Sequence, residues 1–383
     1  MLAPKQILAI KKLPINNSVR SINSTALRYL TKKWKVVLLK KNEKMKNSNL
    51  LLSIFTALGL TIFASCSKNN QNDPSPVAKP AAIVAHTYGL LSMTPDQYAN
   101  VPRFSDMIGK SKLTLLGTSP IIAPSPFTLP YVPAVRDQGQ IGSCTAFCGA
   151  ESDEMLYYAS NPSQYYNPAA TVLSPLFIYY VERVILERQS ITSDPGANMV
   201  NIPQALQKYG TSLESAYAYP AIVNGVAPTP KSAAYKVAPS SALLNAKTFT
   251  IGQATTSYVL LDQGNINEVK YALSVNQPVM MGFNVYDNTA TYQYFEGLNT
   301  TSYTYNPLTN TGALATGCKL LGGHAVPIIG FDDTKQAFLC LNSWGTSWGN
   351  AGFFYMPYSV YQSKTIVPAG NVYTASLGTT AVQ

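Results

Sequence analysis

Two cysteines four residues apart, Cys144 and Cys148, lie in the stretch VRDQGQIGSCTAFCGA, residues 135–150. Buried thiols that pack as small hydrophobic groups are more common than nucleophilic ones. A thiol becomes a good nucleophile where a base shares its proton and a helix N-terminus favours the thiolate. Cys144 lies at the predicted start of a helix, and Cys148 lies one turn inside it. Cys144 is therefore the candidate nucleophile, and Cys148 is interpreted as a core thiol.

The choice of base is narrow, because the sequence contains only two histidines. His324 opens a predicted strand in GCKLLGGHAVPIIGF, and Asn342 follows in LNSWGTSWGNAGF. An amide side chain can orient an imidazole ring. An oxyanion on the substrate carbonyl needs hydrogen-bond donors near the nucleophile, and Gln138 can supply an amide N–H. The second histidine, His86, lies in the N-terminal segment, and we assign it no role.

This arrangement resembles the papain-like cysteine peptidases, the C1 family, in its bacterial branch. The resemblance rests on DQGQIGSCTAF, GGHAVPIIGF and NSWGTSWGNAGF in that order, and it extends over about residues 128 to 360. It implies a hydrolase that cleaves peptide bonds through an acyl-thioenzyme. It also implies protein or peptide substrates and no cofactor.

The resemblance assigns roles to individual residues. It implies a catalytic set of Cys144 as nucleophile, His324 as acid and base, Asn342 as the group that orients the imidazole, and Gln138 as an oxyanion-hole donor with the backbone N–H of Cys144. It implies substrate-backbone contacts at Gly196, Ala197 and Gly323. Trp344 would cover the His–Asn contact, unless it is a plain core aromatic. We expect the reacting atoms of Cys144 and His324 to lie about 3 to 4 Å apart.

The chain departs from the family pattern at its cysteines. Ile141 stands where many relatives have a disulfide cysteine, and Thr145 replaces the usual Trp after the nucleophile. Cys318 lies where relatives often have another half-cystine, but no cysteine follows Cys340. We therefore expect four free thiols in the mature protein. The two histidines and the scattered cysteines have no metal-ligand spacing, so no metal site is predicted.

Two other functions remain open at this stage. One is a non-catalytic binding lipoprotein on the same fold. The other is a different acyl transfer by the same groups, such as cell-wall amide hydrolysis or transglutamination, because the triad determines the chemistry but not the acyl group.

The elements that must position these residues follow a clear order, with helices first and strands later. A helix is predicted from Ser143 to Ser160, closed by Asn161-Pro162. Other helices are predicted in LSPLFIYYVERVILERQ, NIPQALQKYG and NINEVKYALSVNQ, with Ser174 and Asn265 at the starts of the first and the last. Strands are predicted in PVMMGFNV, HAVPIIGF, QAFLCLN and GFFYMP. The order predicts an α+β fold, and the resemblance implies a papain-like one: a helical lobe and an antiparallel β-barrel-like lobe with the active-site cleft between them.

Two stretches lack a regular pattern. The prolines of residues 83–130, which include TPDQYANVP, predict extended packing rather than helices. The segment contains no long charged helical inhibitor of the kind that many relatives carry, and the sequence leaves open whether residues 83–125 occlude the cleft. The Tyr/Thr/Asn-rich stretch 287–316 is predicted to be a surface insertion.

The formal net charge of +10 comes from the N-terminus. Residues 1–44 contain eleven basic residues and one acidic residue, which leaves 17 of each sign in the remainder. The folded part therefore carries no net charge, and no nucleic-acid partner is expected. We interpret residues 1–44 as a non-native extension, with Met45 as the true start; a basic presequence is the alternative.

Residues 45–66 have the layout of a signal peptide, a basic start followed by the apolar run Leu50–Ala64 and small residues. The run is short for a membrane span, which needs about 20 apolar residues. Phe63-Ala64-Ser65-Cys66 resembles a lipobox, which implies a Bacteroidetes-type lipoprotein lipidated at Cys66. A plain signal peptide and an uncleaved anchor are the alternatives.

The polar, Pro-rich residues 67–82 are interpreted as a flexible tether, residues 83–127 as an extended segment, and residues 128–383 as the peptidase domain. We expect a monomer in the cell envelope, held to a membrane by its lipid and facing the periplasm or the cell surface.

The lipid anchor makes a testable prediction. The full-length protein is expected to enter the detergent phase in a phase-partitioning assay, and Cys66→Ala is expected to move it to the aqueous phase. Unchanged partitioning of the variant would contradict lipidation at this residue.

Overall fold

The computed structural model describes residues 86–108, 122–165, 171–222, 226–251 and 258–376. The chain divides into two compact units, residues 1–78 and 79–383, and every described residue belongs to the second. The predicted signal peptide, Cys66 and the tether lie outside the described residues. Within the ranges above, no helix is long and apolar enough to cross a membrane.

The helices are short, with one exception. The long helix α3 spans Cys144–Ser160, and the prediction of a helix from Ser143 to Ser160 is confirmed. The others are α1 Pro95–Tyr98, α2 Phe104–Ile108, α4 Pro162–Tyr165, α5 Pro175–Tyr180, α6 Asn201–Lys208, α7 Ser241–Ala246, α8 Ile266–Ser274 and α9 Tyr358–Tyr361. A π-helical turn, Val181–Leu186, continues α5, and a 3₁₀ turn spans Ala234–Lys236.

The strands form one curled, mostly antiparallel sheet. They are β1 Leu90–Leu91, β2 Phe127–Thr128, β3 Ala197–Asn198, β4 Tyr258–Leu260, β5 Val279–Asn288, β6 Cys318–Asp332, β7 Ala337–Leu341, β8 Phe353–Pro357 and β9 Val372–Ala375. The order along the main path is β3-β1-β6-β5-β9-β4, and β6 also pairs with β2 and β7. Its register shifts against both β5 and β7, which lets this long strand bend and curl the sheet.

Helix α3 is buried on nearly all sides, between the sheet and the other helices. It carries acidic residues into this interior, where Arg136 offsets part of the cost. The Arg136 guanidinium lies 3.3 Å from the Glu154 carboxylate and 3.9 Å from that of Glu151, and it also donates to the Leu173 carbonyl at 2.8 Å. Because buried charges need partners, this contact ties the chain just before the nucleophile loop to the middle of α3.

The segment before the domain contains helix where extended chain was predicted. Thr94 begins α1 in an extended conformation, and its backbone N–H donates to the Gln97 side chain at 2.7 Å. Pro95 occupies the first helical turn, where its missing N–H costs nothing. The prediction for TPDQYANVP is therefore wrong, because this proline stands at the position where proline starts a helix rather than breaks one.

The stretch 287–316 is not confined to the surface. Phe295 and Tyr305 from this stretch are fully buried in the core of the strand-rich part. The buried Asp287 carboxylate accepts hydrogen bonds from the backbone N–H groups of Phe295 and Glu296, both at 2.8 Å, and from that of Tyr294 at 3.1 Å. The burial of these two aromatics could not be predicted from a sequence rich in Tyr, Thr and Asn, because no local pattern distinguishes them from exposed tyrosines.

The cysteines of the described residues, Cys144, Cys148, Cys318 and Cys340, are free thiols. All except Cys318 are buried. Cys148 and Cys340 lie in the two hydrophobic cores, as expected for structural thiols.

Asp287 provides a stability prediction. Asp287→Asn is expected to lower the free energy of unfolding by about 2 to 3 kcal/mol, because the amide replaces a charged acceptor of several buried N–H groups. Urea unfolding followed by fluorescence measures the change. Thr300→Ala, at an exposed position of the same stretch, serves as the control. Equal midpoints for the two variants would contradict the role given to Asp287.

Candidate active site

Cys144 is the first residue of α3 and is fully buried. Backbone groups of Gly89 and of Ala325, the residue after His324, hydrogen-bond to the thiol. These contacts place the N-terminus of the helix against strand β6. Burial raises the pKa of the Cys144 thiol to about 12, although the backbone hydrogen bonds act in the opposite direction.

His324 and Asn342 are joined by a buried hydrogen bond. Nε2 of His324 lies 2.8 Å from Oδ1 of Asn342, which also accepts the backbone N–H of Ser343 at 2.9 Å. Because Oδ1 can only accept, the proton of the neutral ring lies on Nε2. The other ring nitrogen, Nδ1, is then the basic one, and it has no hydrogen-bond partner among the described residues. Burial lowers the pKa of His324 to about 4, against the raising effect of the Asn342 bond.

Gln138 is held beside this pair by Ser343. The Ser343 hydroxyl donates to Oε1 of Gln138 at 2.7 Å, and the Gln138 backbone N–H donates to the Ser343 carbonyl at 2.9 Å. Because Ser343 fixes Oε1 of Gln138, the Nε2 donors of the same amide point away from Ser343. They donate to the carbonyls of Ile141 at 2.9 Å and of Thr87 at 3.1 Å.

The loop between Gln138 and Cys144 is held by two further residues. The Asp194 carboxylate accepts the Gly142 N–H at 3.0 and 3.1 Å and the Tyr179 hydroxyl at 2.6 Å. The Tyr219 hydroxyl donates to the Gln138 carbonyl at 2.9 Å and lies 2.7 Å from the Ser143 hydroxyl. The loop itself contains no cysteine before Cys144, and these polar contacts hold it.

The cleft is filled by a piece of the chain itself, residues 86–91, which we call the cleft segment. Leu90 pairs in parallel with Ala197 of β3 and antiparallel with Gly323 of β6. The Ala197 N–H donates to the Gly89 carbonyl at 2.8 Å. The fit at Gly89 is close, since a Cβ there would lie 1.8 Å from the Gly142 carbonyl oxygen. Only glycine can pass this point.

All three residues predicted to bind substrate backbone contact the cleft segment. Besides the pairing of Ala197 and Gly323 with Leu90, a Cβ on Gly196 would lie 2.0 Å from the Gly89 carbonyl. Gly196 also has φ +83°, which favours glycine. Gly196, Ala197 and Gly323 therefore contact an extended backbone, which in this structure is the cleft segment.

Aromatic rings surround the His–Asn pair. The centroid of the Trp344 ring lies 5.1 Å from that of His324, and Trp344 is also buried in the core of the strand-rich part, so both predicted roles fit its position. The His86 ring stacks on the Trp344 ring, with the ring centroids 4.2 Å apart. Tyr88 approaches His324 edge-on at 6.1 Å and Trp344 at 5.7 Å. No local motif identified these contacts in the sequence, because they depend on the path of residues far from the motifs.

The arrangement combines a thiol, a basic ring nitrogen and an oriented amide donor in one buried region. In the closed cleft the surroundings favour the neutral forms of both Cys144 and His324, because water cannot reach them. A thiolate stabilised by an imidazolium therefore remains a prediction for the open cleft. In the described ranges, no group of three or more His, Cys, Asp or Glu side chains could hold a metal ion.

Sequence reasoning missed Asp194, Tyr219 and Ser343. Ser343 lies inside the NSWGTSWGNAGF motif, so its position was available but its partner was not. Asp194 and Tyr219 lie far along the chain from the loop they hold, and no spacing rule connects them.

Comparison with known proteins finds similarity to cysteine peptidases. Residues 189–369 match the family model described as papain family cysteine protease, and this range includes His324 and Asn342. The chain is 28% identical over 292 residues to an uncharacterized peptidase C1-like protein, L477, of Acanthamoeba polyphaga mimivirus, covering 74% of this chain and 85% of that protein. It is 25% identical to cathepsin B-like CP3 of Giardia intestinalis, covering 72% and 88%.

Among solved structures, xylellain, a cysteine protease from Xylella fastidiosa, is similar with a TM-score of 0.57 and 26% identity. The match covers 76% of this chain and 96% of xylellain. The fold is therefore papain-like, as predicted. The matched range, the curated relatives and this structure together support a cysteine peptidase that is similar to the papain family, C1.

Proposed function

We propose that this peptidase cleaves peptide bonds with Cys144 as nucleophile, His324 as acid and base, Asn342 as the orienting group and Gln138 as an oxyanion donor. The observation that carries the proposal is the His324–Asn342 hydrogen bond, which leaves Nδ1 as the basic nitrogen. The Cys144 thiol lies against the next residue of the same strand, Ala325.

Each step follows from these groups. Nδ1 of His324 takes the thiol proton as the sulfur attacks the substrate carbonyl carbon. The carbonyl oxygen becomes an oxyanion, and it accepts hydrogen bonds from Gln138 Nε2 and the Cys144 N–H. The imidazolium returns the proton to the leaving amine, and the C–N bond breaks. Water, deprotonated by His324, then hydrolyses the acyl-thioenzyme and restores the thiol.

Catalysis requires the cleft segment to leave. Its Thr87 carbonyl occupies the Gln138 donor, and its Gly89 backbone lies against the Cys144 thiol. We infer that the described state is closed to substrate, and that the thiol becomes reactive when the segment moves out or is removed.

We also propose that the enzyme acts in the cell envelope through a lipid on Cys66. The support is the sequence of residues 45–66 and the polar tether that follows it.

Opening of the cleft can be tested with Gly89→Val. The added side chain cannot fit against the Gly142 carbonyl, so the variant is expected to expose Cys144. Limited iodoacetamide treatment at about pH 5.5, where an ordinary thiol is almost wholly protonated, followed by peptide mass mapping, measures the labelling of each cysteine. Cys144 should label ahead of Cys148 and Cys340 in the variant and slowly in the native chain.

Ser92→Ala, at an exposed position next to the segment, is the matched control and should behave like the native chain. Equal Cys144 labelling in Gly89→Val and the native protein would contradict the closed state.

The activity is tested by digesting a peptide library with the full chain carrying Gly89→Val. Cleavage is expected, and adding Cys144→Ala should abolish it. Gln138→Ala should lower kcat about 100- to 1,000-fold, the usual loss for one oxyanion donor. Cleavage by the Cys144→Ala form, or by no form at all, would contradict the proposed function.

A further inference from the structure

We infer that Glu296 makes this enzyme select substrates with lysine or arginine on the leaving-group side of the cleaved bond. The inference rests on the proposed function, since it concerns the substrate of the same site. It starts from the way in which Glu296 is presented to the cleft.

Glu296 is held in place by its backbone. The buried Asp287 carboxylate accepts the N–H groups of both Phe295 and Glu296 at 2.8 Å. The ring of Phe295 is fully buried, 5.0 Å from Trp344 and 5.7 Å from His324. The residue next to Glu296 is therefore packed into the aromatic surroundings of the catalytic imidazole. A carboxylate on such a rigid support is preorganised for recognition.

The cleft segment shows what this surface accepts. The Tyr88 ring lies edge-on to His324 and to Trp344, and its hydroxyl donates a hydrogen bond to the half-buried Glu296 carboxylate. The site thus has the aromatic rings of His324 and Trp344 along one side and the Glu296 carboxylate at its end. It accommodates a long side chain that ends in a hydrogen-bond donor.

The position of Tyr88 identifies the side of the cleaved bond. Gly89 lies against the Cys144 thiol, and Leu90 lies beyond it, between Ala197 and Gly323. Tyr88 lies in the other direction, against the imidazole. Because the imidazolium must give its proton to the leaving nitrogen, the residue that carries this nitrogen passes His324. The surface formed by Trp344 and Glu296 therefore faces the leaving-group residue.

Charge decides which donor binds best. None of the salt bridges found among the described residues includes Glu296 or Asp287. Burial and the neighbouring charge of Asp287 both raise the pKa of Glu296, so the carboxylate gains from a cation. Lysine and arginine supply that cation, and their aliphatic stems can pack on Trp344. An acidic side chain would be repelled by two carboxylates.

The test uses full-length chains that all carry Gly89→Val, so that the cleft is open. Three peptides differ only in the residue after the cleaved bond, which is Lys, Gln or Glu. We expect the Lys peptide to be cleaved with a kcat/KM about 10- to 100-fold above that of the Glu peptide. Glu296→Gln, which keeps the shape of the side chain, should reduce this ratio to near one, and Glu296→Lys should invert it.

Asp262→Asn serves as the control, because it removes an exposed carboxylate that accepts the Gly264 N–H, outside the residues that form the proposed surface. Its Lys-to-Glu ratio should equal that of the parent. If the ratio is the same in the parent and in Glu296→Gln, the inference is wrong.

A binding measurement separates this inference from the proposed function. The same peptides are titrated by calorimetry into the Gly89→Val chain with Cys144→Ala, with and without Glu296→Gln. If no form cleaves any peptide, the proposed function fails, and the affinity ratio decides the inference alone. A Lys preference that disappears with Glu296→Gln supports it, and an unchanged preference overturns it.

Discussion

The contact between the N-terminus of α3 and strand β6 is the constraint on which the rest of the structure depends. It brings Cys144, on the helical side, against Ala325, the residue after His324 on the strand-rich side. The helix in this contact is buried on nearly all its sides. The strand in it, β6, is long enough to pair with β5 and also with β7.

Polar contacts replace covalent ones around this junction. The family pattern implies a disulfide at the nucleophile loop, where this chain has Ile141. The loop is held by Asp194 at Gly142 and by Tyr219 at Gln138 and Ser143. Hydrogen bonds to a carboxylate are strong when they are shielded from water. A protein with free thiols can position its active site in this way, without a cross-link that depends on the redox state of its surroundings.

The cleft segment makes two kinds of contact. Its backbone lies against the buried thiol of Cys144, and its side chains pack on the aromatic rings around His324. His86 and Tyr88 lie on aromatic rings near His324, and the backbone of Gly89 follows the path between Gly142 and Gly196. Under the proposed function, a substrate would meet the same rings and hydrogen-bond donors that the cleft segment contacts.

The motif residues and the elements that carry them could be predicted from local sequence patterns. Local start and stop signals predicted the bounds of α3, and short β-rich runs predicted the strands around His324 and before Asn342. Helix α1 was predicted wrongly, since Pro95 starts a helix only because Thr94 occupies the N-cap position before it. The buried aromatics of residues 287–316 were also predicted wrongly, since no neighbouring residue in the sequence indicates that Phe295 is buried.

The contacts between groups far apart in the chain are visible only in the folded protein. Asp194 reaches Gly142, Glu296 reaches Tyr88, and residues 86–91 enter the cleft through contacts between residues far apart in the chain. Such contacts depend on how the chain returns on itself, and no spacing within a segment encodes them. The pKa of the Cys144 thiol is another example, because it is raised by the burial that folding creates.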